Sequence, residues 1–306
     1  MWSWSKGGAV NPLAVERAEG VYFYTTDGKR YLDFNSQLMS VNIGHSHPKV
    51  LAAMKRARQP PAVRRPEPGH RPARAPRQAP RRARARRHQH LLLHARRRRG
   101  QRERGQGRAP VHRPPEDPGR YRSYHGATHA GMQMTGDPRR WPNEPGAPGF
   151  IRVMDPIPYD YSFGDTDEER TSQPPRYLEE VITYEGPHTI AAMIIETVIG
   201  TNGILPPPKG WLQGLRALLD KHGILLICDE VMCGFGRTGK MFAFEHGDIV
   251  PDILTMAKGL TSSYLPLGAM GVRDKIADHF RNNVFWGGLT YNAHALCLAT
   301  AEAVLT

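Results

Sequence analysis

Residues 224–272 read ILLICDEVMCGFGRTGKMFAFEHGDIVPDILTMAKGLTSSYLPLGAMGV, and most of what this chain can be follows from them. ILLIC is a short apolar run closed by turn residues, which predicts a buried strand and not a helix. It ends on Asp229-Glu230, and an acid at the carboxyl end of a parallel strand sits where open α/β sheets bind their ligands. A second apolar run, 252–257, leads to Lys258 between Ala257 and Gly259, small residues that leave room for a bulky group on the amine. An acid and a lysine on two such strand ends could hold a cofactor ring between them.

Working outward, residues 210–222 have helical spacing, and TIAAMII (189–195) predicts another buried strand, ending in Glu196. Strands alternating with helices argue for an α/β fold with a parallel sheet. Near the start, residues 20–35 alternate apolar and polar around Asp27-Gly28, a hairpin signal. GHSHPKVLAAMKRA follows, with Pro48 suited to a first helical turn. Residues 132–172 are rich in Pro, Gly, Asp and Arg and predict a long surface loop, with a short helix beginning over 177–181. The last residues, 285–306, pass from WGGLTYNAH into an Ala/Leu-rich helix, and the chain stopping within it predicts truncation.

At 306 residues the chain can bury one large or two modest cores. Its three cysteines form no CxxC pair, which speaks against a disulfide framework or structural zinc. With no signal-peptide core and no apolar run of spanning length, a soluble cytoplasmic protein with no membrane contact is expected. The formal net charge of +13 is unevenly placed. Residues 58–120 hold 20 arginines, no lysine and four acidic residues, a balance of +16, so the rest of the chain carries −3.

That stretch also holds 11 of the 27 prolines and no Ser, Thr, Phe, Tyr or Trp. It admits three readings: a disordered linker, a nucleic-acid-binding arm, or GC-rich coding sequence translated out of frame. The lack of aromatics for base stacking argues against the arm, and no nucleic-acid partner is expected. The frame reading has codon arithmetic behind it. With CGN arginines and one nucleotide dropped, Gln101 and Glu103 each become Asn or Ser, while Gln106 and Glu116 each become Lys or Arg. Residues 88–119 then permit an apolar run, a small-residue turn and an amphipathic helix that lead directly into the in-frame RYRSYHG.

SYHGAT, IIETVIGTNG, DEVMCGFGRTG, PDILTMAKGLTSSYLPLGA and GGLTYNAH, taken together and in this order, resemble the class III (omega-) aminotransferases, over residues 20–57 and 121–306. The frame-corrected stretch resembles that family's phosphate-binding turn and following helix. The resemblance implies a pyridoxal 5'-phosphate (PLP) enzyme of fold type I, with a mainly parallel sheet flanked by helices. Its parts would be an N-terminal segment (1–57, hairpin plus helix), a non-native or disordered stretch (58–120) and an incomplete large domain (121–306). The C-terminal small domain would be missing.

By the same resemblance Lys258 matches the catalytic Schiff-base lysine, and Asp229 the partner of the pyridine nitrogen. Val231 and Tyr124 match residues on the two faces of the ring, with His125 and Gly126 shaping the turn beside Tyr124. Glu196 matches a glutamate that contacts the site from the neighbouring strand. Thr290 matches a residue reaching the cofactor phosphate from the second subunit, which implies a homodimer. No metal is expected. The implied reaction moves an amino group from an omega-amino acid or amine to a keto acid. A PLP aminomutase or decarboxylase, or a non-functional frameshifted product, stand as alternatives. Two positions depart from the pattern. Thr201 stands where 2-oxoglutarate users often carry a glutamate, which favours pyruvate-like acceptors, and Met232 where many members have glutamine.

Overall fold

The computed structural model describes residues 12–58, 117–157 and 163–306, together with the backbone of 90–94. An N-terminal antiparallel sheet comes first: β1 (Val15–Glu19), β2 (Tyr22–Thr25) and β3 (Arg30–Leu32), with the expected hairpin turning at Asp27-Gly28. α1 (Pro48–Ala57) follows, with Pro48 in its first turn, where a missing N–H costs no helical bond.

The centre of the molecule is a five-stranded sheet in the order β4-β10-β9-β8-β7. β7 (Ala192–Glu196), β8 (Leu225–Asp229) and β9 (Ile253–Met256) are parallel, as the continuous apolar runs predict. β10 (Gly268–Val272) pairs antiparallel with β9, and β4 (His90–His94) antiparallel with β10, so that β4 points the same way as β7–β9. A separate parallel pair, β5 (Asp117–Arg120) with β6 (Phe150–Val153), lies against β7. Thus β4 and β5, both within 58–120, belong to regular structure. Residues 59–89 and 95–116 lie outside the described residues.

Helices cover both faces. On one, Leu178 and Ile182 of α3 (Asp167–Glu185) and Trp211, Leu215 and Leu219 of α4 (Trp211–His222) pack on Met193, Ile195, Leu226, Cys228 and Leu254. Each such fully buried side chain is worth roughly 1.5–3 kcal/mol. α4 ends where Gly223 takes φ +67°, the left-handed conformation that closes a helix and that glycine adopts without a Cβ penalty. On the other face, Met134 of α2 (His129–Met134) and Ile276 of α5 (Asp274–Asn282) pack on Ile194, Ile227, Ile253 and Met270. α6 (Ala295–Leu305) packs against α1.

One expectation fails. Residues 132–172 are not one long loop, and the helix near 177–181 is not short. The region holds the end of α2, a 3-10 turn (Pro138–Asn143), β6 and the start of the 19-residue α3. A capping box starts α3: Thr166 Oγ1 accepts from Glu169 N, and the Glu169 carboxylate accepts from Thr166 N. The helix then runs through Pro174 and Pro175. Interior prolines cost about 3 kcal/mol, but the cap and the buried Leu178 and Ile182 outweigh the break they signal. Among the described residues, no helix is long and apolar enough to cross a membrane.

Candidate active site

Strand register sets the site. Glu196 of β7 lies opposite Asp229 of β8, and Asp229 opposite Thr255 of β9. Paired residues of parallel strands share a face, so the three side chains form one row at the carboxyl ends of the sheet. The row continues the Ile194–Ile227–Ile253 face, which keeps it buried. Glu230, one residue past Asp229, turns to the opposite side.

Asp229 is 1 % exposed, and the structure fixes both of its oxygens. His125 Nδ1 lies 3.0 Å from Oδ2, and the Val231 N–H donates to Oδ1 at 3.1 Å. The imidazole, itself fully buried, therefore orients the carboxylate; its Nε2 has no partner among the described residues. Thr255 Oγ1, also buried, has none either. Glu196 anchors the loop bearing Tyr124 and His125: Oε1 accepts from Tyr124 N at 2.7 Å and Oε2 from Gly200 N at 2.7 Å. Gly126 in that loop takes φ +108°, which suits glycine. The Tyr124 ring carries the Arg139 guanidinium 3.7 Å over its centroid, and Arg139 pairs in turn with Asp137.

Lys258 leaves β9 three residues beyond Thr255 in a short 3-10 turn and has φ +39°, an uncommon conformation for a residue with a Cβ. Six of the predicted residues, Tyr124, His125, Gly126, Glu196, Asp229 and Val231, are thus joined by short loops and hydrogen bonds, with Lys258 in the turn that follows the next strand, β9. Thr290 is exposed in the loop between α5 and α6, and no hydrogen bond among the described residues ties it to them.

Three supporting groups were not read from the sequence. Glu230 is fully buried and accepts from Ala243 N (2.9 Å), Phe244 N (2.9 Å) and Thr197 Oγ1 (2.7 Å), and burial pushes its pKa up. It binds the loops after β7 and β8 together from the far side of the sheet. Arg120, 1 % exposed, donates through Nη2 to the Glu196 carbonyl and lies 3.6 Å from Asp155. Burial draws its pKa down, but a guanidinium so paired stays charged. The third is the role of His125 itself, which orients Asp229 as well as shaping the turn. The odd–even alternation of a strand could have assigned Asp229 and Glu230 to opposite faces. Nothing local could have joined His125 to a residue 104 positions away.

Comparison with known proteins shows what the whole chain is similar to. The profile of the family described as Aminotransferase class-III matches residues 4–65 and 121–306. The Bacillus subtilis protein named "Uncharacterized aminotransferase YhxA" is 34 % identical over 92 % of this chain and 63 % of its own length. Gamma-aminobutyrate transaminase 1, mitochondrial, of Oryza sativa subsp. japonica is 32 % identical over 97 % of this chain and 60 % of its own. The chain therefore spans about three fifths of these curated relatives. Among solved structures, the taurine:2-oxoglutarate aminotransferase of Bifidobacterium kashiwanohense, in complex with PLP and glutamate, superposes with a TM-score of 0.88. It is 38 % identical, over all of this chain and 69 % of its own. An (S)-enantioselective omega-transaminase from Thermomicrobium roseum gives 0.81 at 36 % identity, over 96 % and 68 %.

Proposed function

The chain belongs to the class III aminotransferases, and from that membership we propose that it acts in PLP-dependent transfer of an amino group from an omega-amino acid or amine to a keto acid. The observation that carries this is the buried Asp229 carboxylate, oriented by His125 and Val231 N, on the strand beside the one that delivers Lys258. The residues present fit the cofactor: the row holding Asp229 also holds Thr255, a buried hydroxyl with no protein partner among the described residues. PLP supplies an electron sink for the pair left when a substrate C–H bond breaks.

In this reading Lys258 would hold the cofactor through Nζ, and its amine would carry the proton to and from the substrate carbon. Asp229 keeps a proton on the ring nitrogen, which a fixed, buried carboxylate favours. His125 stops that carboxylate from rotating. Val231, 2 % exposed, and Tyr124 would bracket the ring, and Glu196 fixes the Tyr124 loop. Thr290 serves a second copy of the chain in a homodimer. The exposed Val284, Trp286 and Tyr291 around it (63, 79 and 69 %) suit a surface that another protomer covers. Light scattering tests this pairing; a monomer at micromolar concentration would count against it.

The test of the reaction is product formation with PLP, taurine or gamma-aminobutyrate as donor, and pyruvate or 2-oxoglutarate as acceptor. The expected result is keto-acid-dependent amino acid formation that Lys258→Ala abolishes. PLP-loaded protein that transfers nothing between any of these pairs would overturn the reading. Thr201 favours pyruvate, whereas the neighbour named for 2-oxoglutarate makes that acid the necessary second arm.

The family match leaves residues 66–120 uncovered, which supports the out-of-frame reading of the arginine-rich stretch. The nucleotide sequence across codons 55–122 tests it, since many arginine codons outside the CGN set would contradict it.

A further inference from the structure

Residues 35–44 join the N-terminal sheet to α1, and their backbone is unusual. Ser36, Gln37, Leu38 and Met39 have φ of +50°, +44°, +66° and +59°, a left-handed turn in which each Cβ crowds the following carbonyl. Strain of this kind persists only where the surroundings impose it. Here the turn sets down Asn42 between the two loops that carry the candidate chemistry.

Asn42 Nδ2 donates to the carbonyls of Phe235 (3.0 Å) and Gly234 (3.4 Å), in the loop that follows Asp229. Its Oδ1 accepts from Arg237 Nη2 at 2.9 Å, and the same Nη2 lies 3.5 Å from Ser36 Oγ. Carbonyls on one side and a guanidinium on the other leave the amide one orientation. On its third side Asn42 meets the lysine turn: a Cβ on Gly259 would lie 2.5 Å from Nδ2 and 2.9 Å from Phe235 Cβ. The neighbouring Ile43 N–H donates to Ser262 Oγ at 3.2 Å, and Tyr264 Oη donates to the Gly44 carbonyl at 2.9 Å.

We propose that Asn42 is a positioning residue for Lys258. One carboxamide, locked by Arg237 and bonded to the loop after Asp229, packs on Gly259 and so holds the lysine backbone at its positive φ. That Lys258 is the reacting amine rests on the aminotransferase reading; the brace itself rests on the contacts alone. Gly259 is then glycine for close approach, because its own φ is not in the left-handed region and only the space for a Cβ is missing.

The test needs no bound cofactor. Hydrogen exchange by mass spectrometry follows the turn bonds Leu260 N→Ala257 O, Thr261 N→Lys258 O and Ser262 N→Gly259 O, and pulsed acetylation across pH follows the Lys258 amine. Two variants are compared with the unaltered chain: Asn42→Ala, and Asn42→Asp, which keeps size and the Arg237 contact but sets an acceptor against two carbonyls. Both should free the packing of Asn42 on Gly259 by releasing its anchor on the Gly234 and Phe235 carbonyls, speed exchange in the turn about tenfold, and move the pH profile of Lys258 acetylation. β8 and β9 should exchange at unaltered rates. Gly259→Ala should loosen the turn alone, and by less when Asn42 is already alanine. Unaltered exchange and acetylation in both Asn42 variants would overturn the proposal, and so would equal loosening of β8 and β9, which marks a general packing role. Borohydride trapping of PLP on the unaltered chain separates the two ideas. Turn loosening without a trapped Lys258 leaves the brace standing and the aminotransferase reading fallen; a trapped Lys258 with unmoved Asn42 variants does the reverse.

Discussion

Asp252 at the amino edge of the central sheet and Asp229 at its carboxyl edge are equally buried, yet they are surrounded differently. Asp252 meets three cations, Arg216 Nη1 and Lys275 Nζ at 2.8 Å and Arg273 Nη1 at 3.4 Å, besides the Leu226 N–H at 2.9 Å. Burial alone would raise its pKa, but the Lys275 contact, the Leu226 N–H and Arg216 outweigh it and hold it below the usual range. Asp229 is met by an imidazole and an N–H, while Glu196 and Glu230 beside it are met by N–H groups and a hydroxyl. The amino edge neutralises its carboxylate and so ties strands and helices together. The carboxyl edge aims its carboxylates, fixing their direction ahead of any ligand.

Substitutions at the two edges should therefore separate activity from stability. The largest effect is expected for Asp229→Asn, which lowers amino transfer by about 10²–10³-fold, the scale of one lost preorganised electrostatic contact. Asparagine can still accept from Val231 N, so the folding free energy should move by only about 1 kcal/mol. Asp252→Asn should do the opposite, costing about 3 kcal/mol in urea titration by breaking a buried ion cluster, with turnover per folded molecule nearly unchanged. A large activity loss there would erase the distinction. Glu230→Gln comes next, at about 1–2 kcal/mol, because one of its acceptor oxygens becomes a donor facing donors.

The smallest effect is in pH dependence, and its sign differs between the edges. The folded pKa of Asp252 is depressed, so its contribution is present above the ordinary aspartate value and is lost as pH falls through the depressed one. That of Glu230 is raised, so its contribution is complete below the ordinary glutamate value and is lost as pH rises through the raised one. Unfolding titrations of Asp252→Asn and Glu230→Gln should flatten stability–pH curves on opposite sides of the carboxylate range. The same side for both would contradict the assignment.

The central strands were legible because β7, β8 and β9 are continuous apolar runs ending in Glu196, Asp229 and the approach to Lys258, a pattern that needs only local sequence. α3 was missed because Pro174-Pro175 and the polar run before them outweighed its one clear signal, the Thr166–Glu169 capping box. The residues of the candidate site were legible one by one. Their couplings were not: His125 with Asp229, Glu196 with Tyr124 N, and Asn42 with Gly259 each join segments 72 or more positions apart. Such contacts are made by strand register and loop packing, which no window of sequence contains.

The direct test is whether the Asp229 edge holds PLP on Lys258. Purified chain incubated with PLP, reduced with borohydride and digested should show the label on the peptide bearing Lys258 far above every other lysine peptide, with Asp229→Asn lowering it and Lys258→Ala removing it. Label spread evenly over surface lysines such as Lys209 and Lys221, with none in excess at Lys258, would show that this edge does not hold PLP.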